Sequence, residues 1–454
     1  MDDQEPSPRR SAGGLQVRHL FVMVPLLAVA VFTAQDIRDN SFLWHVRAGT
    51  AQLDAQQVLT TDSFSYTQFG SAWRTQSWLV ELGYGYFERL TGGVDWAIWM
   101  MFLVALVTYV LIAISVYRSN RSPLAVGLWM IPMVWLAGPF IQPRPVIFSF
   151  LFLAAVTLAL RVGRQIDWVL PLLIWIWAAV HGSWVIGLGL IILFAIAERS
   201  RRLAAVAALS VLTATLTAHG LGVWQIVFDF ASNRDALALM QEWLPPEFLD
   251  VVQGPYLILL AGILVAAVRG KLAMKDLIVV IPLLVFGMSS RRTVFPAAIV
   301  LIPYAALAWV PQRRSSSRMA APLVWGTAGA VALLVLLPLL VVEPGLDPKR
   351  FPSEEALAAV TDDRYFHDDG TGGFLIYAHW PEQMVYLDDR AELYGAEMIA
   401  EYQSARSGVY SELFTRYEMT QALARSEWAL VEALAADGWS EDYRDEYFVV
   451  LRAP

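Results

Sequence analysis

Eleven apolar runs, most of roughly 15–22 residues and so near spanning length, limit this chain to one kind of architecture. They lie at 20–34, 94–117, 125–141, 146–160, 168–180, 184–197, 203–218, 256–268, 277–288, 294–310 and 322–342. In lipid every backbone N–H and C=O must be satisfied inside the segment, which such runs achieve as helices. Some are short for a full crossing, and 168–197 also reads as one interrupted hairpin. Composition agrees: 57% of residues are hydrophobic and 16% charged, against about 25% charged in soluble domains.

Basic residues set the expected sidedness. Arg118/Arg121, Arg161/Arg164, Arg199/Arg201/Arg202, Arg269/Lys271/Lys275 and Arg313/Arg314/Arg318 follow every second run, the positive-inside signature. Eleven crossings with a cytoplasmic N-terminus and an extracytoplasmic C-terminus satisfy it. The first run has the length of a signal-peptide core, but a retained helix is expected, because Asp36 follows at once. The domains expected are a transmembrane part, 1–342, with an outer loop at 35–93, and a soluble outer part, 343–454.

The chain has no cysteine, so disulfides, thiolate metal sites and a cysteine nucleophile are excluded. The net charge of -8 sits outside the apolar runs, chiefly in the last hundred or so residues. No basic, aromatic-interleaved patch suggests nucleic acid.

The outer loop holds two helical patterns. In the first, Phe42, Leu43, Val46 and Leu53 fall near one face, after the N-cap types Asp39, Asn40 and Ser41. In the second, Leu79, Leu82, Tyr86 and Leu90 recur before a Gly92-Gly93 stop. Trp44, Trp73 and Trp78 suit helices lying flat at a membrane surface. In the final segment, 372–377, 384–387 and 447–451 read as strands, and 392–405 and 426–437 as helices, giving a small α/β layer.

The expected sidedness gathers polar residues on the outer face: Asp36, Asp39, His45, Arg47, Asp62, Arg144, His181, His219, Glu242, Arg291 and Arg292. The Arg291-Arg292 pair runs against the positive-inside pattern, and an anion such as a lipid phosphate would explain it, since guanidinium pairs phosphate bidentately. Each residue has a structural alternative. Asp39 serves equally as a helix cap, and Asp62 as the hinge of its own Asx-turn. His181 in a turn can satisfy a carbonyl, Arg144 can snorkel from a rigid Pro-Arg-Pro turn, and Arg291 and Arg292 can meet ordinary headgroups. A magnesium or manganese site using Asp39 with Asp62 or Glu242 is allowed by ligand type, but spacing lends it no support.

Stretches spread over nearly the whole chain carry a family resemblance: RDNSFLWHVRAG, TTDSFSYTQFGSAWRTQSWLVELGY, QPRPVIFSF, VHGSWVIGL, EWLPPEF and GGFLIYAHWPEQMVYLDDRAELYG. They resemble a large family of bacterial multispanning proteins. The layout is also similar to the GT-C superfamily of membrane glycosyltransferases, such as protein mannosyltransferases and aminoarabinose transferases. The resemblance implies an α-helical polytopic membrane protein of GT-C-like fold, with interfacial helices in the first outer loop and a small C-terminal α/β domain. It implies a polyprenyl-phosphate-linked sugar donor and transfer, with inversion, to a hydroxyl of a glycan, lipid or protein at the bacterial plasma membrane. Asp39 or Asp36 would match the acidic residue after the first span, as catalytic base. Where many members have two adjacent acids, this chain has Asp36 and Asp39 three apart. Arg291 and Arg292 would meet the donor phosphate, and LDDRAELYG would cap the fold or bind acceptor glycan. The competing classes are a transporter or flippase of lipid-linked saccharides, whose ionisable groups would sit nearer mid-span, and a non-catalytic envelope-assembly protein.

Overall fold

The computed structural model describes residues 29–30, 32–163, 165–232, 241–309, 337 and 345–454. The expected first and last crossings, 20–34 and 322–342, fall largely outside them. The protein is mostly helical, with a small C-terminal sheet.

Two helices of the first loop pack on each other: α1 (Asn40–Ala55) and α2 (Trp78–Thr91). The Asp39 carboxylate starts α1 by accepting the Phe42 amide at 2.9 Å, as an N-cap does. Gln56, left-handed at φ 52, ends it. Gly92, at φ 74, ends α2, where a left-handed C-cap favours glycine. The two helices cross at glycines. A Cβ on Gly49 would stand 1.8 Å from the Glu81 carbonyl oxygen, and one on Gly85 would stand 2.4 Å from the Gly49 carbonyl carbon.

The bundle follows: α3 (Trp96–Asn120), α4 (Pro123–Ala137), α5 (Val146–Val162), α6 (Leu170–Val180), α7 (Trp184–Ala197), α8 (Arg201–Ala214), α9 (Gly222–Ser232), α10 (Pro255–Val268), α11 (Met274–Gly287) and α12 (Val294–Ala305). Among the described residues, Trp96–Asn120, Pro123–Phe140 and Arg291–Ala308 are long and apolar enough to cross a membrane. Val146–Val162, Asp167–Val180, Trp184–Ala197 and Pro255–Val268 are apolar but shorter. The protein is therefore a membrane protein. Leu103, Ile131, Leu264, Val268 and Val285 face outward, as side chains against lipid tails do. α12 is buried along its whole length at the bundle centre.

The C-terminal segment carries α13 (Glu354–Ala359), β1 (Tyr365–His367), α14 (Asp369–His379), α15 (Ala391–Arg406), α16 (Ser411–Tyr417), β2 (Gln421–Arg425), α17 (Ala429–Ala436), β3 (Ser440–Arg444) and β4 (Phe448–Arg452). The sheet runs β1-β2-β4-β3, with β1 and β2 parallel and the other pairs antiparallel. Residues 372–377, expected as a strand, lie in α14. Asp368 caps that helix, accepting the Gly370 amide at 3.1 Å. Its glycines serve close approach: a Cβ on Gly373 would stand 2.3 Å from the Asn40 carbonyl oxygen. Residues 384–387, also expected as a strand, make one isolated bridge, Val385 to Ser65.

This segment shares a core with the first loop: Ile37, Phe42, Phe64 and Trp73 pack with Tyr365, Phe374, Val385 and Phe448. Trp44 and Trp73 are consequently buried, a correction to the expectation that they lie at a membrane surface. α1 is covered on nearly every side. Leu79, Tyr86, Phe87 and Leu90 of α2 are exposed.

Candidate functional site

The site forms where the start of α1, the turn before α5, the short helix Gln241–Trp243 and the chain before α15 meet. Arg144 is its centre. The Pro143-Arg144-Pro145 turn fixes the backbone, and the guanidinium meets three carboxylates. Its Nε pairs with Asp39 Oδ2, Nη1 lies 3.8 Å from Glu242, and Nη2 lies 3.9 Å from Asp389. Burial alone would lower the Arg144 pKa, but the carboxylates of Asp39, Asp389 and Glu242 outweigh it and hold the pKa above the usual arginine value.

Asp39 thus does two things at once. One oxygen caps α1 and the other faces Arg144. Asp389 is held over the same helical turn, accepting from Ser41 Oγ and from Trp44 Nε1 at 2.8 Å. Burial pushes its carboxyl up, and Arg144 opposes the shift. Glu242 links the centre to Arg292, with Oε1 2.5 Å from the second guanidinium.

A second group lies beneath α1. Glu81 is fully buried. It accepts from Gln52 Nε2 at 2.7 Å and from Thr75 Oγ1, and His45 Nδ1 lies 2.8 Å from it. His181 begins the turn between α6 and α7. Burial, with Arg292 and His45 adding to it, pulls its pKa down to about 3. The ring is therefore neutral at pH 7. Its Nδ1 accepts the Ser183 amide at 3.2 Å, which puts the ring proton on Nε2. His219 Nε2 donates to the Thr75 carbonyl at 2.7 Å, and burial lowers its pKa as well.

Compared with known proteins, the chain matches no family model and none of the curated proteins.

Of the residues expected from sequence, Asp39, Arg144, Glu242 and Arg292 meet directly. Arg291 is adjacent but pairs with Glu247. His45 and His219 belong to the group around Glu81 and Thr75. Asp36 stands apart, accepting the Gly345 amide at 3.2 Å. Asp62 hinges its own turn through the Phe64 and Ser65 amides and lies 2.8 Å from Arg390. Arg47 donates to the Tyr377 carbonyl.

Sequence reasoning missed Asp389 and Glu81. The first sits in the LDDRAELYG stretch, whose proximity to Asp39 no spacing could reveal. The second falls on the polar side of the α2 pattern and looks there like a solvent-facing acid. Among the described residues no three His, Asp or Glu side chains are disposed to hold a metal ion. A guanidinium fills the space between Asp39 and Glu242, and Asp62 is committed elsewhere, so these residues do not fit the magnesium or manganese site considered from ligand type.

Proposed function

We propose that the protein is a membrane glycosyltransferase of GT-C type, moving a sugar from a polyprenyl-phosphate donor to a hydroxyl acceptor at the outer membrane face. One observation carries this reading. A buried carboxylate, Asp39, opens the helix after the first apolar run and faces Arg144, which Glu242 joins to Arg292. A carboxylate beside arginines at the end of apolar helices suits a reaction that removes a hydroxyl proton and releases a phosphate.

In the proposed step the acceptor oxygen attacks the anomeric carbon. Its proton passes to Asp39, a general base of the kind typically worth roughly 10²–10⁴-fold in rate. The bond from the anomeric carbon to the phosphate oxygen breaks, and its electron pair leaves with the lipid phosphate. Attack opposite the leaving group inverts the anomeric centre. Arg144 and Arg292 offset the charge on the departing phosphate, more strongly in a partly dry site than in water. Neutral His181, close enough to Arg292 for that charge to help lower its pKa, is proposed to donate Nε2–H to the same phosphate. Asp389, held by Ser41 and Trp44, is placed to accept a sugar hydroxyl. The reading includes eleven crossings in a bacterial plasma membrane, a cytoplasmic N-terminus and an extracytoplasmic C-terminal domain. The exposed apolar face of α2 supports a helix resting on lipid.

The test is transfer in proteoliposomes supplied with a panel of radiolabelled polyprenyl-phosphate sugars and candidate glycan, lipid and protein acceptors. Label released from the donor lipid onto an acceptor supports the proposal. Label that crosses the bilayer still attached to its lipid would replace it with a flippase.

A further inference from the structure

Arg291 and Arg292 are covered by one short stretch of chain, residues 242–247. The Arg291 amide donates to the Leu244 carbonyl at 2.9 Å, and the Arg291 side chain pairs with Glu247. The Arg292 guanidinium lies 5.4 Å from the centre of the Trp243 ring and 2.5 Å from Glu242. Arg291 Nε is buried without a hydrogen-bond partner, so the arginine pair retains unused donor capacity. Glu242 does more than answer Arg292. Its other oxygen lies 3.8 Å from Arg144, so one carboxylate spans two guanidiniums beside Asp39.

We infer that the Glu242 carboxylate is a displaceable placeholder for a phosphate monoester, which binds between Arg144 and Arg292 when the 242–247 strap swings off. This rests on the proposed phosphate role of the arginines and adds to it a built-in competitor. A carboxylate offers two oxygens and one charge. A phosphate offers more oxygens and up to two charges, enough to engage both guanidiniums bidentately. The Glu242 side chain is 39% exposed, so it can leave without breaking a core. Occupancy of the arginines by the chain's own glutamates lowers apparent anion affinity by the fraction of molecules that are unlatched.

The experiment measures binding by calorimetry to the full chain in phosphatidylcholine nanodiscs, with a short-chain isoprenyl phosphate and inorganic phosphate as separate probes. Glu242→Gln keeps the shape and removes the charge. It is expected to bind isoprenyl phosphate roughly tenfold more tightly than wild type. Glu242→Ala removes the same carboxylate and decides the matter by the presence or absence of that gain if Glu242→Gln does not fold. Tightening confined to isoprenyl phosphate supports a lipid-linked ligand; equal tightening for inorganic phosphate supports the same placeholder with a free anion. Wild-type binding that Glu242→Gln leaves unchanged or weakens would overturn the placeholder and leave the arginine role standing. Absence of binding to either protein would overturn both.

Discussion

Arg390 is 1% exposed and lies 2.8 Å from Asp62 and 2.6 Å from Asp388, neither of which reaches solvent. Trp73 stacks on its guanidinium, with Phe64 close by. Truncating one partner of such a group strands the buried charges of the others, at a cost of roughly 3–5 kcal/mol. Arg390→Met should therefore lower the thermal midpoint sharply in detergent, whereas a conserved midpoint would deny the clamp. A second residue-scale prediction concerns pH. Asp368 and Asp369 share the Tyr402 hydroxyl at 2.9 and 2.8 Å. Burial and the Asp368 charge push the Asp369 carboxyl from 3.8 up to about 7. The folded state holds that proton more tightly than the unfolded chain. Its contribution is thus complete below the unfolded value and is lost as pH rises through about 7. Thermal midpoints should fall between pH 5 and pH 8, and Asp369→Asn should flatten that fall. Sequence exposed residues out of step with the charge pattern, such as the Arg291-Arg292 pair, but not their partners. Asp39 and Asp389 are 350 positions apart in the chain, and a local pattern carries no sign of a contact that only tertiary packing creates.

At the scale of elements, the α1–α2 crossing controls whether the buried His45–Glu81 pair forms. Gly85→Ala would drive a methyl into the Gly49 backbone. Overpacking of that kind costs typically about 1–3 kcal/mol. The expected outcome is a lower midpoint with faster hydrogen exchange in both helices, and an unaltered exchange pattern would contradict the contact. Helix positions in the loop were legible because their signals are local: an Asp cap, a three-to-four-residue apolar spacing and a Gly stop. Residues 372–377 misled because Gly-Gly followed by apolar side chains resembles a buried strand. The decisive influences were the Asp368 cap and the demand for close packing on Asn40, one local but ambiguous and the other wholly tertiary. The sheet's polar edge strand, Ser440–Arg444, has four exposed residues out of five and so offers no alternation to read.

For the whole molecule, three helices of spanning length among the described residues are accompanied by shorter apolar ones, and the first loop and C-terminal segment share one core. The proposed topology puts that shared body outside. Since the chain has no native cysteine, single thiols report sidedness cleanly. Ser71→Cys and Ser404→Cys should react with an impermeant reagent on intact spheroplasts, and Ser119→Cys only after lysis; the reverse pattern would invert the topology. The apolar runs made the membrane class plain from sequence, whereas the docking of the last hundred or so residues onto α1 depended on contacts no run announces. In the proposed reaction Asp39 serves as a base as well as a helix cap. Asparagine is nearly isosteric and caps as well as aspartate, so Asp39→Asn separates the roles in a single-turnover transfer assay with the donor that the wild type uses. Asp39→Asn is expected to fold and still bind donor, with turnover lost by about 10²-fold or more. Transfer by Asp39→Asn at the wild-type rate would contradict the base role.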